Sequence, residues 1–151
     1  MANKISVSNI QKLRDLTGAG VMESKKALEE CNGDLDAAIE WIKERGLEKI
    51  EKRANRETGA GMIISYNHNE RIGVILDIRA ETDFVVRSDP FRNLAHELVM
   101  QIAAMNPKDV NELLKQPYIK DDSKVIEDLV NDVKNRVGEN IKINQFYRLE
   151  I

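Results

Sequence analysis

Met62-Ile63-Ile64-Ser65-Tyr66-Asn67-His68-Asn69-Glu70-Arg71-Ile72-Gly73-Val74-Ile75-Leu76-Asp77-Ile78 sets the architecture of this chain. Met62, Ile64 and Tyr66 alternate, His68-Asn69-Glu70 reverses direction, and Ile72, Val74, Leu76 and Ile78 form a second period-two face. Two strands joined by so short a turn pair antiparallel. Downstream, Glu81 to Arg87 is a polar-rimmed excursion, and Asp89-Pro90 predicts a helix start with Asp as N-cap and Pro at N1. Phe91, Leu94, Ala95, Leu98 and Ile102 make one helical stripe. Met100, Ala103 and Ala104 give that helix a second apolar flank, and Asn106-Pro107 ends it. A short helix around 110–114 and a loop through Pro117 follow. Ile126, Leu129, Val130, Val133 and Val137 then predict a further helix, ended by Gly138. The closing segment reads as a strand with Ile141, Ile143, Tyr147, Leu149 and Ile151 on one face. The order ββααβ, with a small extra helix, predicts an α+β core with a three-stranded antiparallel sheet.

Upstream, residues 1–46 predict three short helices. The first carries Ile10, Leu13 and Leu16 inward. Ser8-x-x-Gln11 would cap it as a capping box, whereas Ser6 would cap it with an Ile5–Ile10 staple; the pattern allows either. The second runs from about Met22 to Cys31, with Met22, Ala27, Leu28 and Cys31 inward and Asn32-Gly33 as its stop. Asp34 caps the third, where Leu35, Ala38, Ile39 and Ile42 share a face, and Gly46 is expected to end it. Residues 47–57 read as a charged helical linker, and Thr58-Gly59-Ala60-Gly61 opens the core unit, 58–151.

The 151 residues include 42% hydrophobic and 32% charged side chains, enough to bury a core. Basic residues number 23 against 26 acidic ones, a net charge of -3 that argues against a dedicated nucleic-acid binder. A single cysteine excludes an internal disulfide and fits a reducing, cytoplasmic setting. No run of 18 apolar residues suggests a membrane span, and Met1 to Ser6 show no secretory leader.

Candidate chemistry is sparse. His68 sits in a turn and His96 opposite the apolar stripe, with no zinc-ligand spacing, so no metal or cofactor is expected. Cys31 lies at a helix C-terminus, where the dipole disfavours a thiolate. Gly18-Ala19-Gly20 lacks the spacing of a phosphate loop. Glu81 and Asp83 would share a face of an extended chain, a conceivable acid/base pair with no pocket around it. The linker is basic but has no aromatic residue for base stacking. One segment breaks the local pattern: Phe84 stands among Thr82, Asp83 and Arg87, either tucked under its own helix or exposed as an anchor for a partner.

Two runs carry a family resemblance. Leu13-Arg14-Asp15-Leu16-Thr17-Gly18-Ala19-Gly20-Val21-Met22-Glu23-Ser24-Lys25-Lys26-Ala27-Leu28, with Asn32-Gly33-Asp34, resembles the N-terminal domain of bacterial elongation factor Ts. Glu81-Thr82-Asp83-Phe84-Val85 is similar to the signature of that family's core, and Gly138-Glu139-Asn140-Ile141 also matches. The resemblance implies a ubiquitin-associated (UBA)-like three-helix bundle. It further implies a guanine nucleotide exchange factor for elongation factor Tu, which is not an enzyme. It makes Val21 and Met22 contacts to the GTPase domain. It makes Thr82, Asp83, Phe84 and Val85 the run that disturbs the GTPase's Mg2+ and phosphate loop. Longer members carry two core subdomains; a single core unit here implies a homodimer. Asn32-Gly33-Asp34-Leu35 and the helix after it also resemble ubiquitin-associated domains generally, so a ubiquitin-binding adaptor is the alternative. Its usual Met-Gly-aromatic loop is replaced by Thr17-Gly18-Ala19-Gly20.

Overall fold

The computed structural model describes residues 5–151, so the reading of Met1 to Ser6 as lacking a leader lies partly outside the described residues. The chain divides into two compact units, Met1–Lys52 and Arg53–Ile151.

In the first unit, α1 (Val7–Thr17), α2 (Val21–Glu30) and α3 (Leu35–Arg53) pack around Leu13, Ala27, Leu28 and Ala38. Ser6 is the α1 cap: its hydroxyl accepts from Asn9 N at 3.1 Å, and both Ile5 and Ile10 pack on the core. Gly18, at φ 71°, closes α1 in the left-handed region. Asp34 Oδ1 accepts from Ala37 N at 3.0 Å and caps α3. Three expectations fail here. Leu16 is 65% exposed and Met22 75% exposed, while Ser24 takes the buried position on α2. Gly46 does not stop α3. It is buried, and a glycine without a left-handed backbone continues a helix at a cost of only about 1 kcal/mol. The helix therefore runs well into the charged stretch 47–57.

In the second unit, β1 (Ala60–His68) and β2 (Ile72–Ala80) form the expected hairpin, in register from Ala60↔Ala80 to His68↔Ile72. Asn69 and Glu70 both adopt positive φ, the twist that a tight hairpin demands. After β2 come α4 (Asp83–Val86), α5 (Asp89–Met105), α6 (Val110–Lys115), the small β3–β4 hairpin (Pro117–Tyr118, Asp121–Val125), α7 (Ile126–Val137) and β5 (Ile141–Glu150). The sheet order is β1-β2-β5, all antiparallel. The N-cap of α5 is Ser88, one residue before the Asp89 expected, so Pro90 falls at N2. Ile64, Val74, Leu76, Ile78, Ile141 and Ile143 form the inner face under Phe91, Leu94, Leu98 and Ile102 of α5.

The expected face of β5 is corrected by a bulge. Ile143 pairs with Ile78 but Gln145 with Asp77, leaving Asn144 as an extra residue. Beyond it the alternation inverts. Phe146 packs on the core, and Arg148 reaches the C-terminal end of α5, where Nε and Nη2 donate to Ala103 O at 3.2 and 2.9 Å. Tyr147, Leu149 and Ile151 are instead exposed. The outer face thus carries Ile63, Ile75, Tyr147 and Leu149 around a carboxylate. Asp77 accepts from Arg79 Nε and Nη2 at 2.5 and 3.0 Å, and from Asn144 Nδ2 at 2.9 Å. The Arg79 hydrogen bonds hold the Asp77 carboxyl below its usual range, against the effect of burial and with help from Asn144.

Candidate functional site

The excursion after β2 is a single helical turn. Thr82 is its N-cap, and the Thr82 hydroxyl accepts from Val85 N at 3.4 Å. Val86 N and Arg87 N close the turn on Thr82 O and Asp83 O. Four residues cannot sustain a helix alone. What holds this one is burial on one side: Val85 and Val86 lie in the core. Ser88 Oγ also donates to Val85 O at 2.6 Å. With residues 85 and 86 facing inward, residues 83 and 84 must face outward. Phe84 is 85% exposed, so it is not tucked under its own helix. Lone exposed apolar side chains are ordinary on protein surfaces. Phe84 differs in being a large ring on a turn that the core fixes from beneath.

The connection into α4 is tied to the turn between α7 and β5. Glu139 Oε2 accepts from Thr82 N at 3.1 Å, and Glu139 Oε1 accepts from Thr82 Oγ1 at 2.6 Å. In the opposite direction, Glu81 Oε1 accepts from Asn140 N at 2.7 Å, and Glu81 Oε2 lies 3.6 Å from Arg56 Nη1. Asn140 Nδ2 donates to Ala54 O and Arg56 O.

Of the run Thr82, Asp83, Phe84 and Val85, the first three are exposed, while the Val85 side chain is core. Glu81 and Asp83 do not share a face. Asp83 begins a helix rather than extending β2, and the Glu81 carboxylate is taken up by Asn140 and Arg56. Val21 and Met22 are exposed at the start of α2, with Leu16 exposed on the other side of the Gly18–Gly20 turn. Burial pushes the Cys31 thiol up, and Asp34 and Glu30 add to it. His68 is exposed, with its Nδ1 hydrogen bonded to the Tyr66 hydroxyl at 2.9 Å. Among the described residues, no three His, Cys, Asp or Glu side chains gather to hold a metal ion, and no helix is long and apolar enough to cross a membrane. Sequence reasoning missed Glu139 and Arg148. Each acts on a residue 45 or more positions away, and no local pattern signals that.

Phe84, Val21 and Met22 are thus large apolar side chains held exposed at the two turns that the sequence singles out. A family model described as "Elongation factor TS" matches residues 81–151, the stretch that begins at the α4 connection. Over the whole chain, proteins named "Elongation factor Ts" are similar. That of Solidesulfovibrio magneticus is 38% identical over 193 positions, covering 97% of this chain and 96% of the relative. That of Thermotoga maritima is 38% identical over 192 positions, covering 98% and 96%. That of Thermosipho melanesiensis is 35% identical over 193 positions, covering 97% and 98%. The chain belongs to the elongation factor Ts family. The aligned span exceeds the 151 residues of this chain, so the relatives hold stretches within it that this chain lacks.

Proposed function

We propose that this protein is a guanine nucleotide exchange factor for elongation factor Tu: it binds the GDP-bound GTPase, disturbs the Mg2+ and phosphate-loop site, and releases GDP so that GTP can load. The observation that carries the reading is Phe84, presented outward on a core-anchored turn within the Thr82-Asp83-Phe84-Val85 run. Mg2+ and the phosphate loop together hold a guanine nucleotide. A factor that binds the emptied GTPase more tightly must weaken GDP by the same factor, since coupling between two ligands is reciprocal. Phe84 supplies apolar area to wedge into the GTPase, Asp83 an anionic group near the cation, and Thr82 and Val85 the fixed base of the turn. No bond is made or broken, so the protein is no enzyme of chemical conversion and needs no cofactor.

The first unit is read as a UBA-like bundle, residues 1–46, that docks on the GTPase domain through Val21 and Met22, with Leu16 beside the same turn. Residues 47–57 serve as spacer and 58–151 as the exchanging core. The ubiquitin adaptor is not favoured, because the relatives match the core as well as the bundle. The core also pairs with a second copy through the outer sheet face. An antiparallel sheet facing water normally shows polar side chains there. Here Ile75 sits on the central strand directly opposite Tyr147, an apolar centre that a two-fold axis can match to itself. The site of action is the cytoplasm, where translation runs. Release of fluorescent GDP from elongation factor Tu, with and without this protein, tests the function. Acceleration at substoichiometric amounts supports it, and an unchanged rate overturns it.

A further inference from the structure

Two carboxylates cross between the α4 connection and the turn at 138–140: Glu81 holds the backbone of Asn140, and Glu139 holds the backbone and hydroxyl of Thr82. We infer that Glu139 is a positioning residue for Phe84, fixing the direction in which that ring leaves the fold. The inference rests on the reading of Phe84 as the exchange element.

A threonine hydroxyl has one proton and two lone pairs. Glu139 Oε1 takes the proton at 2.6 Å, so a lone pair of Thr82 Oγ1 is left for Val85 N–H, the bond that caps α4. That bond is long, 3.4 Å, and in a four-residue helix it has few others to support it. Glu139 Oε2 meanwhile occupies the Thr82 N–H. Gly138, at φ 72°, ends α7 and turns the chain so that Glu139 faces this connection. Val85 and Val86 pin the turn from below, whereas Glu139 sets its rotation at the N-terminal end. Without Glu139 the hydroxyl is free to swing and the cap loosens. Phe84 stays exposed but samples more directions, and ordering it then costs free energy at the moment it acts on the GTPase.

Glu139→Ala is the test. The plateau rate of GDP release should fall about three- to tenfold, the cost of immobilising one loosened side chain. The concentration for half-maximal effect should move less than the plateau, because the Phe84 ring is still present to bind and the first unit's contacts are untouched. A merely structural role would instead lower the folded fraction and raise that concentration with the plateau intact. Glu139→Gln, which keeps one acceptor oxygen, should fall between. In a Phe84→Ala background, Glu139→Ala should do nothing further, since no ring is left to aim. A spin label on Phe84→Cys, in a chain also carrying Cys31→Ala, should become more mobile on adding Glu139→Ala. An unchanged label mobility, a full plateau, or an equal further loss in the Phe84→Ala background overturns the inference. If the unaltered protein fails to release GDP, the exchange reading itself falls; if Phe84→Ala retains full activity, the wedge assignment on which this inference rests falls.

Discussion

Replacing Phe84 by alanine separates a wedge from a structural residue on one protein. A phenylalanine side chain buries about 150–250 Å² when fully enclosed. Phe84 leaves 85% of its surface in water, so roughly 130–210 Å² remains for a partner to cover. At ~25 cal/mol per Å² that is about 3–5 kcal/mol. The β-carbon that alanine keeps lowers it to about 2–4 kcal/mol, or roughly 30- to 1,000-fold. The fold itself loses contact with only the remaining sixth of the ring, under ~1 kcal/mol and a few degrees of Tm. The expected result is a protein that melts near the unaltered one yet needs far more factor, or fails altogether, to release fluorescent GDP from elongation factor Tu. Both measurements are made on the same preparation, stopped-flow release beside thermal melting. Asp83→Ala should lose less, because a solvated carboxylate brings charge but little area. A Phe84→Ala protein that unfolds contradicts the exposure. One that folds and exchanges normally refutes the wedge.

Removing residues 1–52 should weaken binding to elongation factor Tu, measured by calorimetry, and leave residual exchange at high concentration. Unchanged affinity would show that the bundle does not dock. Sedimentation should find a homodimer with an interface above roughly 1,000 Å². Leu149→Glu, at a side chain 79% exposed, should shift it to monomer without lowering Tm in the monomeric range. Asp77→Asn should cost stability at pH 7. Because Arg79 depresses the folded-state pKa of Asp77, the carboxylate's contribution is complete above the unfolded value of about 3.9 and is lost as pH falls through the lower folded value. Urea titrations from pH 7 to 2 should therefore converge for the two proteins at the acid end, and parallel curves would contradict the assignment.

The hairpin and the α5 stripe were legible because each is a local period: two for Ile72 to Ile78, and three to four for Phe91 to Ile102. The errors have physical causes of the same local kind. Leu16 and Met22 are apolar at helical spacing yet lie exposed, since a period marks apolar residues without saying which of them the fold covers. Gly46 resembles a stop in the sequence, but a glycine ends a helix where the backbone turns left-handed, as it does at Gly18 and Gly138 and does not at Gly46. Phe84 could not be placed from residues alone. Its exposure depends on Val85 and Val86 taking the inward positions of a one-turn helix, and a segment of four residues shows no period. The Glu139–Thr82 hold spans 57 residues, and although both runs stand out in the sequence, no local period says that they meet.

The unpaired Asn144 makes β5 a strand of two phases. Its first residues count in step with the inner face, and its last six count half a period out. Deleting that one residue would close the ladder with Ile143 and Gln145 still opposite Ile78 and Asp77 and leave every face as it is, whereas drawing Asn144 into the ladder opposite Asp77 would turn the rest of the strand over. Phe146 and the arginine that meets the end of α5 would go out to solvent, and Tyr147 and Leu149 would go in beneath the helix. In this strand, then, which side chains are interior and which face outward is set by whether one residue stands in or out of the ladder.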